Sequence, residues 1–366
     1  MCAGSVAVEA SGRRIVVTSI GTAGPAAVAA VAKGLGVPVS RAVACLYRAP
    51  AVLADDVPPD AADAMVRLLQ GIGFSAHVAE AGAAPPPPER LVDVALHLSD
   101  PRAARAAAAA LAEFAGLTQD AAMEMLLTPP GLALGAVSAA TVAAFRDRLP
   151  DGVELVSARP EDSLYHLFLL DGPPVVRARL MPDLAPLGVA ADAAPGLVAT
   201  GVPHATLQEL WRRHQAGGML RAVNEAFLRY DIVATGLAGA DPADPALAEA
   251  LARLTGMPAA LAPTALAQLP LTMIEGARLD AVAGHLAAFA ALGLHARADL
   301  TTFQRLGLEV LEAPDPAALR AVLTGYGLAP ARPPFRLEPP LPETQARMLR
   351  AALEDAGAVV RFAEEV

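Results

Sequence analysis

The chain has 366 residues and a net charge of −10, so it offers no broad positive field to nucleic acid or to an anionic membrane surface. Its two cysteines, Cys2 and Cys45, allow at most one bridge, which excludes a disulfide framework and suits a reducing compartment. Hydrophobic residues make up 54%, but the long uncharged runs 15–32 and 255–274 are broken by Gly21, Gly24 and Pro25 and by Pro258, Pro263 and Pro270, so no transmembrane segment is predicted.

From the N-terminus, residues before Arg14 hold no apolar core of signal-peptide length, which sets the expectation of a cytoplasmic location. A strand is predicted at 15–20, then helices at 25–35 and 39–48. Pro50 cannot continue a helix and opens an extended segment at 51–54. Pro58, Pro59 and Asp60 suit the first turn of a third helix, which closes at Gly73, where a left-handed conformation is open to glycine. Phe74 then opens a last strand.

The same proline, apolar residue and glycine recur along the chain. Pro50, Val57 and Gly73 are spaced by 7 and 23, as are Pro195, Val202 and Gly218, Pro270, Ala277 and Gly293, and Pro334, Leu341 and Gly357; Pro130, Val137 and Gly152 give 7 and 22. Five matches in order, among 33 prolines and 29 glycines, indicate an internal repeat. Later helix starts read Ser138, Pro203-His204, Asp280 and Pro342-Glu343-Thr344, and Val153, Met219, Leu294 and Ala358 follow the glycines as strand openings. The fourth unit matches the first without a gap from Gly34 to Gly73, setting Gly36-Val37-Pro38 against Gly256-Met257-Pro258. Units three and five are shorter, with Gly188 to Pro195 and Gly327 to Pro334 in place of a full second helix.

The predicted fold is therefore α+β, a tandem array of five small β-α-α-β-α-β units. Each is a three-stranded sheet with helices on one face, and the second helix is shortened in units three and five. The expected boundaries are 1–82, 91–160, 161–228, 229–301 and 302–366, with a proline-rich linker at 83–90 carrying Pro85 to Pro88.

This order, carried by Ile15-Val16-Val17, Gly34-Leu35-Gly36-Val37, Ala42 to Leu46, Pro50 to Val57, Ala61 to Leu69 and Gly71-Ile72-Gly73-Phe74, resembles the C-terminal domain of the bacterial ribosomal stalk protein and the related fold of the Clp protease adaptor. Units one, two and four cover the pattern fully and units three and five in part. The resemblance implies a fold used to bind other proteins and not to catalyse. The stalk domain's lysine-rich helical surface has no counterpart here, since Lys33 is the only lysine, and no degron-pocket residue carries over by position.

For chemistry, the seven histidines include no pair spaced three or four apart, so no helical metal site is expected. His204 and His214 flank Trp211 in the densest such group, read as helix surface beside a core tryptophan. The turns Gly21-Thr22-Ala23-Gly24 and 236–239 lie between strand and helix, where phosphate can bind, but complete no nucleotide fingerprint. Cys45 reads as a small buried residue, and no nucleophile elbow is present. His77, Arg297 and Arg361 share one position of the last strand and form the candidate partner-binding column, set against an ordinary solvated strand face. The expectation is a non-catalytic binding or scaffold protein with one or more protein partners, no cofactor, no metal, no nucleic acid and no membrane insertion. The alternatives are a protease- or ribosome-linked adaptor and an enzyme with a cofactor cleft between units.

Overall fold

A computed structural model describes residues 12–87, 89–169, 174–187, 196–214 and 220–363. Cys2, Pro88, the 188–195 segment with its marker Pro195, Gly218 and Met219 lie outside the described residues.

The first repeat comprises β1 (Arg13–Ser19), α1 (Pro25–Leu35), α2 (Val39–Leu46), β2 (Ala51–Val57), α3 (Pro59–Gly71) and β3 (Ser75–Glu80). The second runs β4 (Val92–Leu98), α4 (Ala104–Ala115), α5 (Gln119–Leu127), β5 (Leu132–Val137), α6 (Ala139–Arg146) and β6 (Val153–Ala158). The third has β7 (Leu164–Leu169), α7 (Pro174–Leu184), β8 (Leu197–Pro203), α8 (His204–His214) and β9 (Leu220–Asn224). The fourth has β10 (Arg229–Leu237), α9 (Pro245–Thr255), α10 (Ala262–Leu266), β11 (Leu271–Arg278), α11 (Leu279–Ala291) and β12 (Leu294–Leu300). The fifth has β13 (Arg305–Glu312), α12 (Pro316–Gly325), β14 (Phe335–Pro342), α13 (Glu343–Asp355) and β15 (Val359–Ala363).

Every repeat builds one antiparallel three-stranded sheet, with its first strand in the middle and its second and third strands at the edges. The middle strand therefore carries the deepest core residue. Ile15, Val94, Leu167, Ile232 and Leu308 hold the same place in the five strands, and each is fully buried. In the fifth repeat no second helix stands between α12 and β14, and in the fourth it shrinks to the five-residue α10 after a 3-10 turn at Ala259–Leu261.

The sequence markers have structural causes. Gly73, Gly152, Gly293 and Gly357 all take positive φ, between 71° and 102°. Three of them also meet the loop after the first strand. Gly73 O accepts from Thr22 N (2.9 Å), Gly152 O from Asp100 N (3.0 Å) and Gly293 O from Ala238 N (2.6 Å). A Cβ on Gly73 would stand 2.6 Å from Ala23 N, so conformation and close approach both select glycine. The residue at the next helix end is less constant, since α6 stops at Arg146, six residues before Gly152. The marker prolines Pro50, Pro130, Pro270 and Pro334 each follow a cis peptide bond. The apolar marker closes a bulged edge strand: the residue just before it, Asp56, Ala136, Gly201 or Gly276, has φ between 52° and 65°. A carboxylate holds the bulge amide in four repeats, Asp55 at Asp56 N (3.1 Å), Asp93 at Ala136 N (2.9 Å), Glu225 at Gly201 N (3.1 Å) and Asp231 at Gly276 N (3.0 Å).

Two compact bodies result, residues 1–159 and 160–366. In the first, α6 packs chiefly on β1 of the neighbouring repeat, whereas α3 lies on its own β1 and β3. Tyr47, just after α2, is the joint: its carbonyl accepts from Ser138 N (3.1 Å) and Thr141 Oγ1 (2.8 Å), and its hydroxyl donates to Phe114 O. Phe114 stacks on Phe145 at 4.6 Å, and both are fully buried, each contributing roughly 1.5–3 kcal/mol by removal from water. Arg148 donates to Gly21 O (2.9 Å) and Ala23 O (3.1 Å) while lying 4.8 Å over the Phe114 ring.

In the second body, Phe168 meets Phe303 edge-on at 4.8 Å, closing the third sheet against the turn that precedes the fifth repeat. Arg347 of α13 joins the fifth repeat to the fourth. It bonds Asp231 of β10 (2.7 Å), Glu275 of β11 and Glu343 of its own helix. No single helix among the described residues is long and apolar enough to cross a membrane.

Candidate functional site

In the third repeat, as in the second, the last helix has little contact with its own third strand. Helices α3 and α11 lie chiefly along the third strand of their sheets and α13 spreads over all three of its strands, whereas α8 leans over β7 and β8. A cleft of about 450 Å³ opens where that cover is missing, lined by Tyr165, His204, Leu207, Gln208, Trp211, Arg212 and Ala222. Its floor is Tyr165 of β7 and Ala222 of β9, and its wall is one face of α8 at positions 204, 207, 208, 211 and 212. Leu210, on the other face, is buried in the repeat's core with Leu167, Leu180 and Val198.

Trp211 is 43% exposed, which corrects its expected place in the core. A tryptophan four residues after Leu207 has core spacing on a helix, but only Leu207 reaches the core, and Trp211 one turn further on stays exposed. His204 sits in the cleft with its ring 5.8 Å from that of Tyr165, and its Nε2 lies 2.8 Å from Gln208 Nε2. Its Nδ1 is shielded from water and has no hydrogen-bond partner among the described residues. His214 faces elsewhere, with Nε2 2.7 Å from Asp183 of α7, so the two histidines do not form one site. Arg212 pairs with Glu209 at the rim, and Arg213 bonds Glu209 at 3.0 Å.

The acid and base groups nearby are thus committed to one another along α7 and α8. What the cleft offers is surface: two aromatic rings, a leucine and a rim guanidinium, with Gln208 and His204 as polar contacts. Glu209 and Asp183 hold the two arginines and His214 in place, so the wall that carries Trp211 is braced from outside. Tyr165, Leu207 and Ala222 gave no separate signal in the sequence, because they become neighbours only through sheet pairing and the angle of α8.

The column His77, Arg297 and Arg361 is real as a register position. The three residues stand opposite Val16, Val233 and Glu309, each one residue beyond the buried anchor of its middle strand. Val156 and Arg221 hold the place in the second and third sheets. All three candidates are exposed, but each lies on a different sheet. Arg297 is held by Asp299 (2.8 Å), whose hydrogen bond raises the arginine pKa, and Arg361 by Glu309 (2.7 Å).

The glycine turns do not form phosphate cradles. Thr22 N and Ala23 N donate to Gly73 O and Ile20 O, and Ala238 N donates to Gly293 O, so these amides serve the fold. Cys45 is half-buried and donates to Val52 O at 3.8 Å; burial pushes its thiol pKa up, away from a reactive thiolate.

The most evident acid–base pair, His166 with Glu225 (3.2 Å), is structural as well. Glu225 caps the bulge amide of Gly201, and burial lowers the His166 pKa against the pull of that carboxylate. Tyr230 beside it is pushed up to about 12 by burial and by Glu225. Comparison with family models, with curated proteins and with solved structures finds no match for this chain.

Proposed function

We propose that this chain is a non-catalytic binding or scaffold protein whose repeats present different surfaces to partner proteins, and that the Trp211 cleft of the third repeat is one such surface. The observation that carries this reading is a half-exposed tryptophan in a concave site beside Tyr165, Leu207 and Arg212. Tryptophan, tyrosine and arginine are the residues that dominate binding energy at protein interfaces, and they do so from shallow pockets ringed by polar groups. The partner supplies an apolar side chain that fills the cleft and removes the indole from water. Commitment of Asp183, Glu209 and Glu225 to local cations and to a bulge amide supports binding over catalysis.

The test is paired affinity capture from the native host with the wild type and with Trp211→Ala, followed by direct titration of whatever differs. Because Trp211 is the only tryptophan, its fluorescence reports occupancy directly. Loss of a partner from the variant, with an affinity drop of about 30-fold or more, is the expected result for an interface anchor worth about 2 kcal/mol. Identical retained sets, or nothing retained by either chain, would defeat the proposal.

A further inference from the structure

A second cleft, of about 480 Å³, lies within the first body between α1 and α2 on one side and β5 on the other. Its helical wall carries Val39 and Val43, 51% and 38% exposed, and its far wall is the stretch Leu134, Gly135, Ala136 and Val137 of β5. That stretch is a sheet edge, because β5 pairs only with β4. An edge strand presents unpaired N–H and C=O groups, and proteins guard such edges with charge or proline.

The five repeats show how this chain guards its own. At the second residue before the apolar marker, β2 has Asp55, β11 has Glu275 and β14 has Pro339, whereas β5 has Gly135. No residue of β5 is charged, and Leu132 in it is 43% exposed. Strand β8 is uncharged too, but its Leu197, Val198 and Ala199 are buried. Thus β5 combines an edge with no charge or proline of its own, an exposed leucine and an open cleft facing an apolar helix.

We infer that β5 accepts an extended apolar segment of a partner protein as a fourth strand of the second sheet. Backbone hydrogen bonds to β5 would set its register, and alternate side chains would rest on Val39 and Val43. The one charged side chain lining the cleft is Arg48, so the segment carries an acidic residue there. Arg48 Nε already reaches Ala136 O across the cleft at 3.3 Å, a long bond that an incoming N–H replaces, freeing the guanidinium for that acid. This deepens the reading of the chain as a binding protein but uses a different body from the Trp211 cleft.

The probe is a phage-displayed library of random octapeptides panned on the full chain, with each selected peptide then synthesised and titrated in solution. Expected are peptides with alternating apolar residues and one acid, whose affinity falls tenfold or more in Gly135→Lys and in Val43→Glu and is unchanged in Trp211→Ala. Gly135→Lys is tolerated by the fold, since a Cβ there meets only Asp93 Oδ1 at 3.6 Å. N-methylation of alternate peptide amides should abolish binding in one register and spare it in the other, a readout that does not depend on any protein variant.

Four results would overturn the inference: no peptide selected; selected peptides that bind Gly135→Lys as well as wild type; indifference to N-methylation in both registers; or a wild-type dimer that Gly135→Lys dissociates, which would assign the edge to a second copy. Peptides lost in Trp211→Ala alone would belong to the third repeat, upholding that cleft while overturning this one.

Discussion

Arg347→Met removes one guanidinium and leaves three carboxylates, Asp231, Glu275 and Glu343, grouped without their shared counter-charge. Breaking a buried ion pair from one side costs about 3–5 kcal/mol. Glu275 is 43% exposed and recovers much of its hydration, so the lower end, about 3 kcal/mol, applies here. For a body of this size that lowers the melting temperature by about 6–12 °C.

Asp231→Asn leaves Arg347 with two carboxylates and keeps an acceptor for Gly276 N, so it costs less, about 1 kcal/mol. Acidity provides a second check. Arg347 is divided among three acids, so burial outweighs it at Asp231 and the Asp231 pKa stands above its usual 3.8. Stability linked to that group is full below about 3.8 and is lost as pH rises through the raised value. Without Arg347 the value rises further, so the deficit of the variant grows as pH rises from 3.8 through the raised value. Urea unfolding followed by Trp211 fluorescence reads this body alone, because the only tryptophan lies in it. A deficit below about 1 kcal/mol, or one indifferent to pH, would refute the reasoning.

Gly73→Ala forces a Cβ to 2.6 Å from Ala23 N at a φ of 102°, so thermal unfolding by circular dichroism should show a loss of several kcal/mol, roughly 2–4, in the first body. Gly34→Ala is the control: it lies inside α1 with nothing within 4 Å of the new Cβ, and it should stabilise by about 0.5–1 kcal/mol. Burial holds the His166 pKa below 6.5, so the stability linked to this group is full above that value and is lost as pH falls below it; His166→Gln should flatten that fall, and an unchanged profile would remove His166 from the account.

The repeat was legible because its marks are single residues with strict backbone needs. Gly73 and Gly293 announce themselves through positive φ and a loop pressed against them, and no other residue type would serve. The bulge supports were half visible: Asp93 and Asp231 stand out as acids inside apolar strands, yet nothing local says they hold the amides of Ala136 and Gly276. Trp211 was misplaced for a physical reason. Spacing tells which residues share a face of α8, whereas the exposure of that face depends on how the helix tilts on its sheet. The His77, Arg297 and Arg361 column was found from register, but the Glu309 that pairs with Arg361 sits across the sheet and 52 residues away, beyond local reading.

The joint at Tyr47 separates the unit that was copied from the unit that can stand alone. A piece ending at residue 82 would keep a complete strand order yet strip β1 of α6 and leave the Tyr47 carbonyl without Ser138 and Thr141. The repeat is about seventy residues long, but the first compact body holds two of them: a fragment cut after residue 159 carries both halves of that joint, and one cut at residue 82 carries only one.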